Sequence, residues 1–160
     1  MTAIVSFVIR ILMGGIFLLA GLAKIADPVR FMLTLREFDL FPRVIVPFLA
    51  VYLPWLELML GLSLVLGLLY RTSALMLAFL NFLFMLAILS VISRGIVVDC
   101  GCFGLLADAL KLPDMADYKA VIRNVIFTSL CVYLFFAGST IFSLEGYIRR
   151  NTAQTRGNLP

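Results

Sequence analysis

The chain has 160 residues, 63% of them hydrophobic, with a mean hydropathy of +1.11 and a formal net charge of +4. That composition lies outside the soluble range and inside the membrane class, and the length suits one small integral membrane domain. Its 13 Lys and Arg are spread over loops and ends, which excludes a nucleic-acid footprint and makes anionic lipid headgroups the expected counter-charge.

The pattern predicts an all-α fold: a four-span transmembrane helix bundle with short interfacial helices in the connections, over residues 1–145, then a polar tail over 146–160. The first span, 4–23, is apolar apart from Arg10 and is bounded by Lys24. A helix rises about 21 Å from Arg10 to Lys24, so both cations are expected to snorkel to opposite interfaces. Gly21-Leu22-Ala23 also has the small residues of a signal-peptide cleavage site, but three further apolar spans favour a retained helix.

Between Lys24 and Arg43, Asp27-Pro28 supplies an N-cap and a proline at the first helical position, and Pro42 terminates the segment. Val29, Met32, Leu33 and Leu35 alternate with Arg30, Thr34, Arg36 and Glu37, the pattern of a short helix in the interface plane. Such a helix serves either as a plain connection or as a lid over a buried site.

The second span, 44–69, carries Pro47, Pro54 and, near its middle, Glu57. A carboxylate at the bilayer centre costs roughly 2.5 to 3.5 kcal/mol on insertion scales, so it needs a partner or a function. Asn81 of the third span is the nearest candidate partner; Arg10, or a protonated acid facing a cavity, are the alternatives. Leu69-Tyr70-Arg71-Thr72 leaves almost no loop, so the second and third spans form an antiparallel hairpin. The third span, 72–93, is free of charge, and Asn81 is its one strongly polar residue, suited to bonding a neighbouring helix.

The connection from Arg94 to Arg123 holds Asp99-Cys100-Gly101-Cys102-Phe103-Gly104. A short amphipathic stretch over 105–110 comes next, then Pro113, with Asp114 and Asp117 as caps for the last helix, whose apolar span runs over 124–144. Cys131 on that span reads as a small buried hydrophobe. Four spans place both termini on one side and the cysteine loop on the other. Of the Lys and Arg, eight fall on the cysteine side (24, 30, 36, 43, 94, 111, 119, 123) and five on the terminal side (10, 71, 149, 150, 156), which by the positive-inside rule makes the cysteine side cytoplasmic. Dithiol and disulfide use is commonest in oxidising space, which argues for an extracytoplasmic loop, and that is the orientation adopted.

Histidine is absent, which removes His-based general acid/base catalysis and His-ligated haem, copper and zinc sites. Three cysteines cannot complete a four-thiolate site, though two thiolates can hold a soft ion such as Cu(I). A Cys-x-Cys disulfide closes a very small ring, made accessible by the intervening Gly101. A staple across one residue removes almost no unfolded-state entropy, so redox exchange explains the Cys100/Cys102 pair better than stability does. No second pair exists to carry electrons across the membrane, which points to a membrane quinone as the second redox partner.

Ala20-Gly21-Leu22-Ala23-Lys24-Ile25-Ala26-Asp27-Pro28, Leu53-Pro54-Trp55-Leu56-Glu57-Leu58 with Gly61, the Asp99–Gly104 loop and Arg123-Asn124 together resemble the DoxX-like membrane proteins, and specifically their methylamine-utilisation MauE branch. The resemblance runs to about Phe142. It implies a four-helix membrane bundle associated with thiol redox chemistry, in a branch linked to maturation of the disulfide-rich small subunit of methylamine dehydrogenase. Other relatives sit with thiosulfate:quinone oxidoreductases or thioredoxin-like partners. More distantly the chain resembles the quinone-linked proteins DsbB and vitamin K epoxide reductase, but it lacks their C-x-x-C motif and second cysteine pair.

The expected function is therefore a thiol:disulfide redox protein of the inner (cytoplasmic) membrane. Cys100 and Cys102 exchange with a thioredoxin-like or cysteine-rich extracytoplasmic partner, and a quinone is the second redox partner. Asp99 is the candidate proton acceptor beside Cys100; Glu57, Lys24 and Arg123 are the candidates for shaping the polar part of the site. The alternative is a non-catalytic membrane anchor subunit of an oxidoreductase complex.

Overall fold

Pro28 decides where the first helix ends, because the residue before a proline is pushed out of the helical region. A computed structural model, which describes residues 2–96 and 118–137, shows α1 (Thr2–Ala26) stopping there, with Asp27 at φ −134° and ψ 75°. The Asp27 side chain then accepts from the Arg30 backbone N–H at 3.1 Å and caps α2 (Pro28–Phe38). That helix closes on Asp39, at φ 48°, whose N–H donates to the Arg36 carbonyl.

The second expected span is α3 (Val46–Leu66) and the third is α4 (Tyr70–Ser93). Their connection is only Gly67, Leu68 and Leu69, which makes the predicted hairpin as tight as the sequence implies. Gly67 ends α3 at φ 72°, in the left-handed region open to glycine, and Leu69 enters α4 at φ 47°. The last described helix, α5 (Tyr118–Phe136), takes in Arg123 and Asn124. Expected features at 97–117 and 138–160, including Asp99, Cys100, Cys102, the 105–110 stretch, the caps Asp114 and Asp117 and the polar tail, lie outside the described residues.

Among the described residues four helices, Ile4–Ala26, Val46–Leu66, Tyr70–Ser93 and Tyr118–Phe136, are long and apolar enough to cross a membrane. Their outward faces carry Ile4, Phe48, Tyr52 and Phe79, each more than half exposed, as lipid contact requires. Together they make the chain a multi-pass membrane protein.

Lipid supplies little hydrophobic drive for helices to associate, so close packing has to come from small residues. α1 and α3 meet through Gly14, Gly21 and Gly61. A Cβ on Gly21 would lie 3.0 Å from the Pro54 carbonyl oxygen, and one on Gly61 would lie 3.0 Å from the Leu18 nitrogen. α4 and α5 form the second closely packed pair. Asn81 ties them by donating to the Asn124 carbonyl at 2.8 Å and to Thr128 Oγ1 at 2.9 Å. Met13, Phe17, Leu64, Leu77, Cys131 and Leu134 fill the core where the two pairs meet.

α2 packs on the bundle with Phe31, Thr34, Leu35 and Phe38. The sequence pattern points to Val29, Met32, Leu33 and Leu35 instead, yet Val29 and Leu33 are exposed. The buried set keeps the same helical spacing but is centred on two phenylalanines that find partners on α4. Phe31 stacks on Phe84, with ring centroids 6.3 Å apart, and Phe38 packs on Ile88 and Val91. The Arg94 guanidinium closes this contact by donating to the Phe38 carbonyl.

Candidate functional site: a buried ion pair beside an inner chamber

The Gly21 contact with Pro54 and Leu58 brings the end of α1 against the middle of α3 with no side chain between the backbones. Lys24, one turn on, therefore reaches Glu57. Its Nζ donates to both carboxylate oxygens, at 2.8 and 2.6 Å, and both side chains are buried, at 4% and 7% exposure. Two aromatic faces complete the enclosure: the ammonium lies 5.2 Å from the centroid of Phe31 and 5.3 Å from that of Phe84. A cation held by a carboxylate and two ring faces is stabilised where water is excluded.

This arrangement corrects two expectations. The partner of Glu57 is Lys24, not Asn81, whose amide is committed to Asn124 and Thr128 of α5. Lys24 does not snorkel, because α2 folds back over it and places Phe31 on its ammonium. Arg10 does not snorkel either. It is 1% exposed inside the bundle, with its guanidinium 5.2 Å from the Phe7 ring centroid.

Beside the pair lies a small chamber where the α1/α3 and α4/α5 pairs meet. Its polar lining is Lys24, Glu57, Asn81, Arg123 and Asn124, and its apolar walls include Phe17, Phe84 and Phe127. The volume is about 30 Å³, enough for a water or two.

Of the residues picked out from sequence, Lys24 and Glu57 are thus in direct contact, and Arg123 lines the same chamber. Asp99, Cys100 and Cys102 lie in the connection between α4 and α5, outside the described residues. Cys131 is fully buried in the apolar core, remote in character from a reactive thiol. Phe31 and Phe84 carried no signal in a chain with 14 phenylalanines. Asn124 was visible as half of the Arg123-Asn124 pair, though not as a lining residue.

A family model described as Methylamine utilisation protein MauE matches residues 2–137. Among curated relatives, Protein TlpB of Flavobacterium psychrophilum is 29% identical over 141 residues, covering 81% of this chain and 36% of TlpB. Methylamine utilization protein MauE of Paracoccus denitrificans is 30% identical over 129 residues, covering 80% of this chain and 67% of that relative. The chain thus spans about a third of the length of TlpB. No solved structure matches. The family match takes in all four spanning helices and the Lys24–Glu57 pair, and the chain belongs to the methylamine utilisation protein MauE family.

Proposed function

We propose that the chain is an inner-membrane thiol:disulfide redox protein whose working group is the Cys100/Cys102 pair. The observation that carries this reading is the division of the cysteines. Cys131 is buried in the apolar core, which leaves Cys100 and Cys102, one residue apart in the sequence between α4 and α5, as the candidate pair for exchange. In the exchange a thiolate of the reduced partner attacks the Cys100–Cys102 disulfide, a mixed disulfide forms, and the partner's second thiol resolves it. The partner leaves as a disulfide and the pair as a dithiol, whose two electrons and two protons then pass to the quinone, giving the quinol and restoring the disulfide.

The partner in this reading is a thioredoxin-like or cysteine-rich protein on the extracytoplasmic side, in line with the DoxX-like resemblance and a role in methylamine utilisation. A membrane quinone is the second redox partner, supplying a two-electron acceptor soluble in the bilayer. Asp99 takes the proton from Cys100, and Lys24, Glu57 and Arg123 shape the polar part of the site. Replacing both Cys100 and Cys102 by serine tests the reading: quinone reduction by a reduced dithiol protein should be abolished. Undiminished reduction would overturn it.

One observation favours a second reading. TlpB matches this chain over only 36% of its own length, so the membrane unit also occurs joined to a much longer chain. A non-catalytic anchor for a soluble oxidoreductase fits that arrangement. It predicts that the double serine variant retains partner binding and supports full activity.

A further inference from the structure

Asn124 is 2% exposed, and its carbonyl accepts from Asn81, but its side-chain Nδ2 has no hydrogen-bond partner among the described residues. A buried amide donor left unpaired costs about 1–3 kcal/mol, so native structures satisfy such groups with protein or with ordered water. Asn124 lines the chamber, the chamber has room for a water or two, and Glu57 faces it from the opposite helix pair. Lys24 supplies two hydrogen bonds to the Glu57 carboxylate, whose two oxygens offer about four acceptor sites, so acceptor capacity is left over.

We propose that this chamber is an internal water site, in which water accepts from Asn124 Nδ2 and donates to the Glu57 carboxylate. Each condition for a buried water is met: a polar lining, sufficient room, and a donor and an acceptor on opposite walls. The position gives the water its consequence. It bridges α5 to the α1/α3 pair across the seam between the two helix pairs, where direct side-chain hydrogen bonds already serve α4 and α5. The water thereby adds an exchangeable link to a seam that Ser6 and Tyr133, 3.5 Å apart, already bridge from α1 to α5, and it gives the Glu57 carboxylate a hydrogen-bonding neighbour other than Lys24. This inference is independent of the cysteine chemistry.

The test is infrared spectroscopy of the full chain in lipid, comparing H2O with H2-18O, on the wild type and on Asn124→Leu. Leucine has the same branched side-chain skeleton as asparagine, is bulkier, and has no donor. An isotope-sensitive water band present in the wild type and lost in Asn124→Leu is expected. An unchanged band, or none in the wild type, would overturn the proposal. Should Asn124→Leu fail to fold, an experimental structure of the wild type at a resolution that shows ordered water decides: density between Asn124 and Glu57 upholds the site, and an empty chamber contradicts it.

Discussion

Lys24 Nζ and Glu57 Oε2 lie 2.6 Å apart, joining the end of α1 to the middle of α3 inside the bundle. Breaking such a pair from one side strands a buried charge, which costs about 3–5 kcal/mol, whereas replacing both partners by apolar residues of similar size is often neutral. Lys24→Met should therefore destabilise the bundle strongly, and Lys24→Met combined with Glu57→Leu should recover most of the loss. Denaturant unfolding in detergent micelles, run as a double-mutant cycle, measures both.

The α1/α3 contact depends on hydrogen atoms at Gly14, Gly21 and Gly61. Gly21→Ala places a methyl group 3.0 Å from the Pro54 carbonyl oxygen and 3.1 Å from the Leu58 nitrogen, both backbone atoms that cannot swing aside. A loss of about 1–3 kcal/mol is expected from such overpacking. Gly15→Ala is the control, since a Cβ there meets nothing within 4 Å. It should be neutral or stabilising by up to about 1 kcal/mol through helix propensity.

Asn81 spends both donors of its amide on α5. Interhelical hydrogen bonds in membranes average about 0.6 kcal/mol and reach about 1.7 kcal/mol. Asn81→Leu should cost about 1 kcal/mol, and Thr128→Val less, with the two effects less than additive. Thermal unfolding of the single and double variants checks the coupling.

Burial of Cys131 makes it inert. In the folded protein a thiol reagent should modify at most two of the three cysteines, and denaturant should expose the third; Cys131→Ala should leave thiol exchange unchanged. Mass spectrometry after alkylation reads each count. An impermeant reagent added from outside the cell should reach Cys100 and Cys102 if the loop is extracytoplasmic, and labelling from the cytoplasm alone would restore the orientation that the Lys and Arg count favours.

The four spans, the tight hairpin and the Asp27-Pro28 start of α2 were legible because each rests on local chemistry: apolar length, a connection too short to wander, a cap beside a proline. Glu57 was legible as a residue needing a partner. That the partner is Lys24 was not, because a lysine at the end of a span normally has an open route to water. Here α2 turns back and closes that route with Phe31, a tertiary event with no local mark. The small residues of the α1/α3 contact were plain in the sequence, but nothing local marked that they face one another. Arg123 was legible as a polar-site candidate, but that it and Asn124 line one chamber with Lys24 and Glu57 depends on how α5 packs against the other helices, which no local pattern marks.

The central claim, redox exchange at the cysteine pair, is tested most directly by a redox titration of the full-length protein in lipid, with alkylation and mass measurement of the peptide containing Cys100 and Cys102. A dithiol that converts to an intramolecular disulfide within the range of biological thiol couples, about −120 to −300 mV, and that is oxidised by added quinone, is the predicted result. A pair that keeps one state across that range would contradict it.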